Sequence, residues 1–215
     1  MQTFQIPHFG YDDEISMNAL SELREVLKPI AEANNVKLSY MPLMIKAASM
    51  ALQQYPILNS SLSPDESEII YHGDHNIGVA MDTDKGLVVP NVKGVQNLTI
   101  FEVARELNRL QSEGSSGNVS ANDLEGTTFT LSNIGAIGGT YMSPVIATPQ
   151  VAIGAVGKIQ TLPRFDSEGN VVAEKIMAVS WAGDHRIIDG ATMANFSNSW
   201  KAMLEEPGTM LVNMK

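Results

Sequence analysis

The sequence predicts an α/β fold, a sandwich in which helices pack on a large mixed sheet. Three observations carry this. Leu20, Leu23, Leu27 and Ile30 recur at helical spacing. The runs QVAIGAVGKI and VVAEKIMAVSWAG read as strands of a buried sheet. Helix-like and strand-like segments interleave along the chain rather than segregate, the order expected of a layered α/β domain. The chain has 215 residues, of which 44 % are hydrophobic and 18 % charged, a composition that folds and that suits one large domain.

Taken in order, Phe4 to Ile15 reads as a strand broken by Pro7 and Gly10, and Ser16 as the N-cap of a helix reaching about Ala33. Pro42 suits the first turn of a second helix, MPLMIKAASMALQQY, whose apolar positions run nearly all round and which should be buried between layers. PILNSSLSPDESE reads as a turn-rich loop before a short strand, IIYHG. IGVAMDT and GLVVPNVKG read as two strands joined by a tight turn at Asp82-Thr83-Asp84-Lys85-Gly86. Thr99 caps the helix TIFEVARELNRLQSEG, which runs out in GSSGN, and Ser120 opens a short helical turn. TTFTLSNIG is a strand entering a glycine-rich turn, and FDSEGN is a hairpin loop between the last two strands. A final helix starts near Asp189.

Composition excludes several classes of function. With 14 Lys plus Arg against 24 Asp plus Glu, the net charge of −10 argues against sequence-independent nucleic-acid binding, which depends on neutralised phosphates. It leaves room for a small basic pocket for a phosphorylated ligand. The absence of cysteine excludes disulfides, a cysteine nucleophile and a thiolate zinc site. No apolar run approaches the ~20 residues of a membrane span. The N-terminal MQTFQIPHFGYDDE has neither signal-peptide nor transit-peptide character, and the chain begins as though cut from something longer. The 12 methionines read as core filling.

Among four histidines, His8 follows a proline in a strand, and His72 and His75 flank a strand start with no third metal ligand nearby in sequence. His185 ends an apolar strand in the segment GDHRIIDG, where an α/β scaffold exposes working groups. Asp189 either caps the next helix or forms an ion pair that stiffens the loop, and the histidine itself reads equally as a satisfied, partly buried side chain. Ser132 and Asn133 close a strand before the glycines of FTLSNIGAIGGT. They suit hydrogen-bond donors to an oxyanion, or an ordinary strand-to-loop transition. The glycines match neither a phosphate loop nor a dinucleotide fingerprint. Without a G-x-S-x-G elbow, and with Asp189 only four residues from His185, histidine as direct base with serine as oxyanion donor is a more natural assignment than a serine nucleophile. The Asp84-Lys85-Gly86 turn resembles a lipoyl-attachment turn, but the flanking strands are too few for a lipoyl domain, so Lys85 reads as a solvated turn lysine.

The HRIIDG block with the upstream FTLSNIGAIGGT resembles the catalytic domain of the dihydrolipoyl acyltransferases of 2-oxo acid dehydrogenase complexes. IPHFGYDDE, PILNSS, HNIGVAMDT, GLVVPNVK and VSWAGDHRIIDGATMANFSNSWK extend the resemblance over essentially the whole chain, with the branched-chain member the nearest in motif. The resemblance implies a chloramphenicol-acetyltransferase-like fold, trimers with active sites between subunits, and assembly into a 24-subunit cubic core. It implies His185 as base, Asp189 as its companion and Ser132 as donor to the tetrahedral intermediate, with serine and histidine from neighbouring subunits. Coenzyme A contacts are implied at Arg24, Ser39, Asp82, Gln111, Ser132, Asn133, Gly157 and Ile159, with Lys158 left without a role.

The implied substrates are CoA and a lipoyl group supplied by a separate domain, with no metal. The implied partners are the lipoyl domain and the decarboxylase and dihydrolipoyl dehydrogenase components, with no nucleic acid and no membrane. The implied compartment is the mitochondrial matrix, or a bacterial cytoplasm. Residues 1–215 are then the acyltransferase core, without the lipoyl and subunit-binding domains, and the C-terminal MLVNMK suits an apolar contact between trimers.

Overall fold

A computed structural model describes residues 6–83 and 86–213. The first strand, β1 (His8–Ser16), runs unbroken through Gly10, which pairs with Ala182, so only Pro7 limits it. Ser16 is not the N-cap. It stays in the ladder opposite Ile176, and its N–H donates to Glu205 Oε1 at 2.9 Å. Helix α1 (Asn18–Ala33) starts two residues later, after Met17, with no side-chain cap. Of its expected stripe Leu20 is fully buried, but Ile30 is 49 % exposed, and Ala31 takes the inward position instead.

Helix α2 (Met41–Gln54) begins with Pro42 in its first turn and is buried at every position from Met41 to Leu52. That includes Lys46, whose ammonium donates to the carbonyls of Val95, Gln96 and Leu98 at 3.2, 3.3 and 2.7 Å. Burial pushes its pKa down. The segment read as a loop after α2 contains a 3-10 turn (Pro56–Asn59) and a strand, β2 (Ser60–Leu62), paired with β3 (Ile69–Tyr71) as a separate hairpin.

Strands β4 (Ile77–Gly78) and β7 (Asn91–Val92) join the main sheet. Between them, β5 (Met81–Thr83) and β6 (Gly86–Val88) form a small hairpin, with Asp84 and Lys85 of its turn outside the described residues. Helix α3 (Ile100–Ser116) opens on a complete capping box between Thr99 and Glu102 and stops at Gly117, whose φ of 70° suits a residue without Cβ. The short α4 (Ala121–Leu124) has its own capping box at Ser120 and Asp123. Strands β8 (Phe129–Asn133) and β9 (Ala152–Val156) run parallel to each other.

The hairpin around 166–170 joins β11 (Val171–Asp184) to β10 (Gln160–Phe165), a strand the sequence reading did not separate. The first turn-ward residues of β11 are exposed, and only its second half lies in the buried sheet. The main sheet has the order β1-β11-β9-β8-β4-β7, with β10 extending β11. Helix α5 (Gly190–Glu205) is capped by Asp189, and a short α6 (Gly208–Asn213), also not anticipated, ends the described chain. Met210 of α6 is buried while Leu211 and Val212 are 73 % and 85 % exposed. The rest of MLVNMK, Met214 and Lys215, lies outside the described residues.

The core is aromatic where α5 crosses the sheet. Trp181 of β11 lies edge-on to Phe196 and Trp200, at 5.1 Å between centroids in each case. Both indoles are satisfied, Trp181 Nε1 by Ser197 Oγ at 2.9 Å and Trp200 Nε1 by the Met44 carbonyl at 3.0 Å. Gly154 makes room for this cluster, because a Cβ there would sit 2.2 Å from a ring carbon of Trp181. Gly154→Ala should therefore destabilise the protein by about 1–3 kcal/mol through overpacking, read as a lower melting temperature.

Candidate active site

His185 directly follows β11 and is exposed. Three contacts orient it. Its backbone N–H donates to the Pro7 carbonyl at 2.9 Å, continuing the β1–β11 ladder by one step. Its ring lies 4.7 Å from that of Phe9, tilted by 40°. Its Nδ1 is 3.0 Å from the Ile188 carbonyl, an acceptor, so Nδ1 carries the proton and Nε2 keeps its lone pair. A histidine in that tautomer is a base aimed outward.

Asp189 takes the first of its two expected roles. It accepts from the N–H of Thr192 at 2.7 Å and from the Thr192 hydroxyl at 3.2 Å as the cap of α5. These bonds hold its carboxyl below the usual range, with nearby His185 a lesser contributor. No hydrogen bond joins it to His185 among the described residues.

Ser132 and Asn133 end β8, half-buried. Ser132 pairs with Ala155, which pairs with Ser180 of β11. His185 is five residues farther along β11. At ~3.4 Å per residue and ~4.8 Å per strand, Ser132 and His185 are separated by about 20 Å at opposite ends of the sheet. One chain does not bring them together.

The structure does group most of the remaining candidates. Asn133, Gly157 and Ile159 line one cavity of about 290 Å³, together with Tyr40, Met44 and Lys158. The chain crosses itself tightly here. A Cβ on Gly135 would fall 2.2 Å from the Gly157 carbonyl oxygen, and one on Gly157 would fall 2.2 Å from that of Thr140. Only glycine lets these backbones form the cavity wall. Arg24 lines a neighbouring cleft of about 410 Å³ with Lys28 and Lys37. Its guanidinium lies 5.0 Å from the Tyr40 ring centroid, and its Nε donates to the Leu38 carbonyl at 3.1 Å. Tyr40 thus lines the first cavity and touches the arginine that lines the second, and Ser39, half-buried, precedes it and lines neither.

Gln111 is exposed on α3, one turn beyond Asn108, whose side chain clamps both backbone groups of Lys37 at 2.8 and 3.1 Å. Asp82 is exposed on β5, and strand alternation turns it away from α3, which Met81 and Thr83 face at Gly114. Neither lines the two cavities. Tyr40, Lys28, Lys37 and Phe9 were missed in sequence because only long-range packing places them here.

The other three histidines are engaged elsewhere, and His8 has its Nδ1 2.8 Å from the Ile6 carbonyl and its Nε2 accepting from the Ile146 N–H at 3.1 Å. His72 Nε2 meets Ser61 Oγ at 3.0 Å, and His75 Nδ1 meets Ser49 Oγ at 2.7 Å, with burial pushing the His75 pKa down.

Comparison with known proteins places this geometry. The family model described as "2-oxoacid dehydrogenases acyltransferase (catalytic domain)" matches residues 1–212. The chain is 60 % identical over 211 residues to the Bos taurus lipoamide acyltransferase component of the mitochondrial branched-chain alpha-keto acid dehydrogenase complex. That match covers 98 % of this chain and 44 % of the relative, so the chain spans about half the length of the curated relatives it matches.

Two similar solved structures share 31 % identity and a TM-score of 0.94, covering 98 % of this chain and 86 % of theirs. One is from a study of a serine, a histidine and an asparagine in the catalytic mechanism of Azotobacter vinelandii dihydrolipoamide acetyltransferase. The other is the cubic core of the pyruvate dehydrogenase multienzyme complex. Chloramphenicol acetyltransferase, at 13 % identity and a TM-score of 0.63 over 94 % of this chain and 91 % of its own, shares the fold.

The cap role of Asp189 sets a stability order. Asp189→Ala should melt below the wild type and Asp189→Asn close to it, because the amide oxygen still accepts from Thr192. Since the folded carboxyl is depressed, its contribution is present above the ordinary aspartate range and is lost as pH falls through the folded value. The gap between wild type and Asp189→Ala should narrow in acid thermal melts to about that between Asp189→Asn and Asp189→Ala.

Proposed function

The chain belongs to the 2-oxoacid dehydrogenase acyltransferase catalytic-domain family, and from that premise we propose that it moves a branched short-chain acyl group between a dihydrolipoyl thiol and CoA. The observation that carries the proposal is the exposed, tautomer-fixed His185 at the end of β11. Its Nε2 takes the CoA thiol proton, and the thiolate sulfur bonds to the acyl carbon of the dihydrolipoyl thioester. Ser132 Oγ–H donates to the resulting oxyanion. Collapse breaks the bond to the dihydrolipoyl sulfur, which leaves as a thiolate and recovers the proton from His185. A thiol of pKa about 8.5 is mostly protonated at neutral pH, which is why a positioned base matters.

The branched-chain assignment is supported by the 60 % identity to the bovine component against 40 % to a Staphylococcus aureus pyruvate-complex acetyltransferase component. Arg24, Lys28 and Lys37 suit the phosphates of CoA, while the cavity behind Tyr40, bordered by Asn133, Gly157 and Ile159, suits the thiol-bearing arm. In the study of the Azotobacter enzyme the histidine and asparagine are four residues apart, as His185 and Asp189 are here, and this chain carries a carboxylate at that position.

The separation of about 20 Å between Ser132 and His185 of one chain favours a site shared between copies, and a trimer with sites between subunits is the working unit of this reading. The cubic core of the similar pyruvate-complex structure supports a cubic assembly, read here as 24 subunits in eight trimers, and exposed Leu211 and Val212 offer the apolar contact between trimers. The lipoyl domain, the decarboxylase and the dihydrolipoyl dehydrogenase are the partners. The bovine relative is named as mitochondrial, which supports the mitochondrial matrix as the compartment.

Acyl transfer from isobutyryl-CoA and acetyl-CoA to dihydrolipoamide tests the reading. Isobutyryl should be preferred, by about 10–200-fold if pocket size alone decides. His185→Ala should lower kcat by about 10²–10⁴ and Ser132→Ala by about 10²–10³. Co-assembling the two dead variants in equal amounts should restore activity at roughly one interface in four, which a site within one chain does not do. An assembled wild type that moves neither acyl group defeats the reading. Removing residues 211–215 should leave active trimers on sizing, and an unchanged large particle would refute the trimer-joining role.

A further inference from the structure

The residues on either side of His185 form an ion pair that the reaction itself does not use. Asp184 is 1 % exposed, a depth at which a carboxylate is strongly destabilising unless fully paired. All its side-chain hydrogen bonds come from one residue. Oδ1 accepts from the backbone N–H of Arg186 at 3.1 Å and from its Nε at 3.0 Å, and Oδ2 accepts from Nη2 at 2.6 Å and Nε at 3.2 Å. The main chain of Asp184 is equally committed. Its N–H ends the sheet on the Val151 carbonyl at 2.9 Å, and its carbonyl accepts from the N–H groups of Ile187 and Ile188 at 3.2 and 2.9 Å. That last pair closes the turn that carries the Ile188 carbonyl back to His185 Nδ1. The outer nitrogen of Arg186, Nη1, reaches Glu66 at 2.6 Å in the turn between β2 and β3, where Glu66 holds a φ of 60°.

We propose that Asp184, acting through Arg186, is a positioning residue for His185: the bidentate pair fixes the turn whose carbonyl selects the imidazole tautomer and its direction. The inference rests on the acyl-transfer reading and extends it to the residues that hold the base. Without the fork, Asp184 keeps only the backbone N–H of residue 186 as a partner, the 184–188 turn loosens, and the Ile188 carbonyl no longer holds Nδ1. A larger share of His185 then has the wrong nitrogen, or none, aimed at the thiol. The fork geometry matters as much as the charge. Lysine preserves the buried charge balance but cannot supply two parallel N–H groups to one carboxylate.

The test compares wild type, Asp184→Asn, Arg186→Lys and His185→Ala as assembled protein, by melting temperature and by kcat and KM for CoA in transfer to dihydrolipoamide. Both pair variants should lose about tenfold or more in kcat, with KM for CoA within about twofold, the pattern of a group acting in the transition state rather than in binding. Arg186→Lys should melt near the wild type. If Asp184→Asn does not fold, Arg186→Lys decides alone. Wild-type kcat in Arg186→Lys, or a loss confined to KM, overturns the positioning role. If wild type transfers acyl groups and only His185→Ala is dead, this inference fails and the reaction stands. If wild type itself is inactive, the reaction fails first.

Discussion

Strand β11 pairs along both edges, with β1 from Ser16 to His8 on one side and with β10 and then β9 on the other. Because side chains alternate and registers slip only in whole residues, this pairing sets where every group at the sheet ends must lie. It puts Ser132 level with Ser180, and His185 five residues beyond it, next to Pro7 and Phe9. The two groups best suited to thioester chemistry are thereby held apart at opposite ends of one sheet. Under the proposed function, this constraint ties activity to assembly. Each chain contributes a base at one end and an oxyanion donor at the other, and neither end works alone.

The two ends are built by different physics. Around His185 the structure relies on polar saturation, with the buried Asp184 carboxylate satisfied by a single arginine, a turn closed on the Asp184 carbonyl, and an imidazole pinned by the Ile188 carbonyl. Around Ser132 and Asn133 it relies on close approach. The chain folds over itself at Gly135 and Gly157, where any side chain would overlap backbone. The first arrangement fixes a direction, which a base needs. The second leaves a narrow cavity beside Tyr40, which an extended thiol arm needs.

Local chemistry was legible in the sequence, and long-range replacement of it was not. Thr99 and Ser120 open their helices as read, and Pro42 opens α2, because each of these signals is settled within one turn of chain. Ser16 looked like the same kind of cap but was overruled by partners 160 and 189 residues away, Ile176 in the ladder and Glu205 Oε1. Ile30 fits the helical stripe yet lies outside, since Ala31 takes the inward position, packed with Val36, Leu38 and Ala104. Strand β10 was absorbed into the strand before it, and β2 into a loop, because each is short and only its partner defines it.

At the site, His185 and Ser132 stood out by their place at strand ends. Tyr40, Lys28, Lys37, Phe9 and the Asp184–Arg186 pair did not, because each acquires its meaning from a neighbour brought in by the fold. The sequence motif also left Asp189 with two roles, and the structure fills both of its oxygens from Thr192.

Charge gives a final instance of local arrangement overriding a global property. A net charge of −10 would repel a polyanionic ligand if it were spread evenly. In salt of physiological strength, however, exposed charges farther than about 8 Å are largely screened, so a ligand responds to the groups lining its own cleft. Arg24, Lys28 and Lys37 face one cleft with Glu32 as the acidic residue in its lining. Arg24 is held over Tyr40 with its Nε committed to a carbonyl and Nη1 to Glu25, which fixes the guanidinium plane and leaves Nη2 without a hydrogen bond among the described residues. An acidic exterior with one basic cleft disfavours nucleic acid, which needs a long track of positive charge, while still accepting a compact phosphorylated ligand. The same composition that excludes one class of anion is therefore compatible with the one the proposed reaction requires.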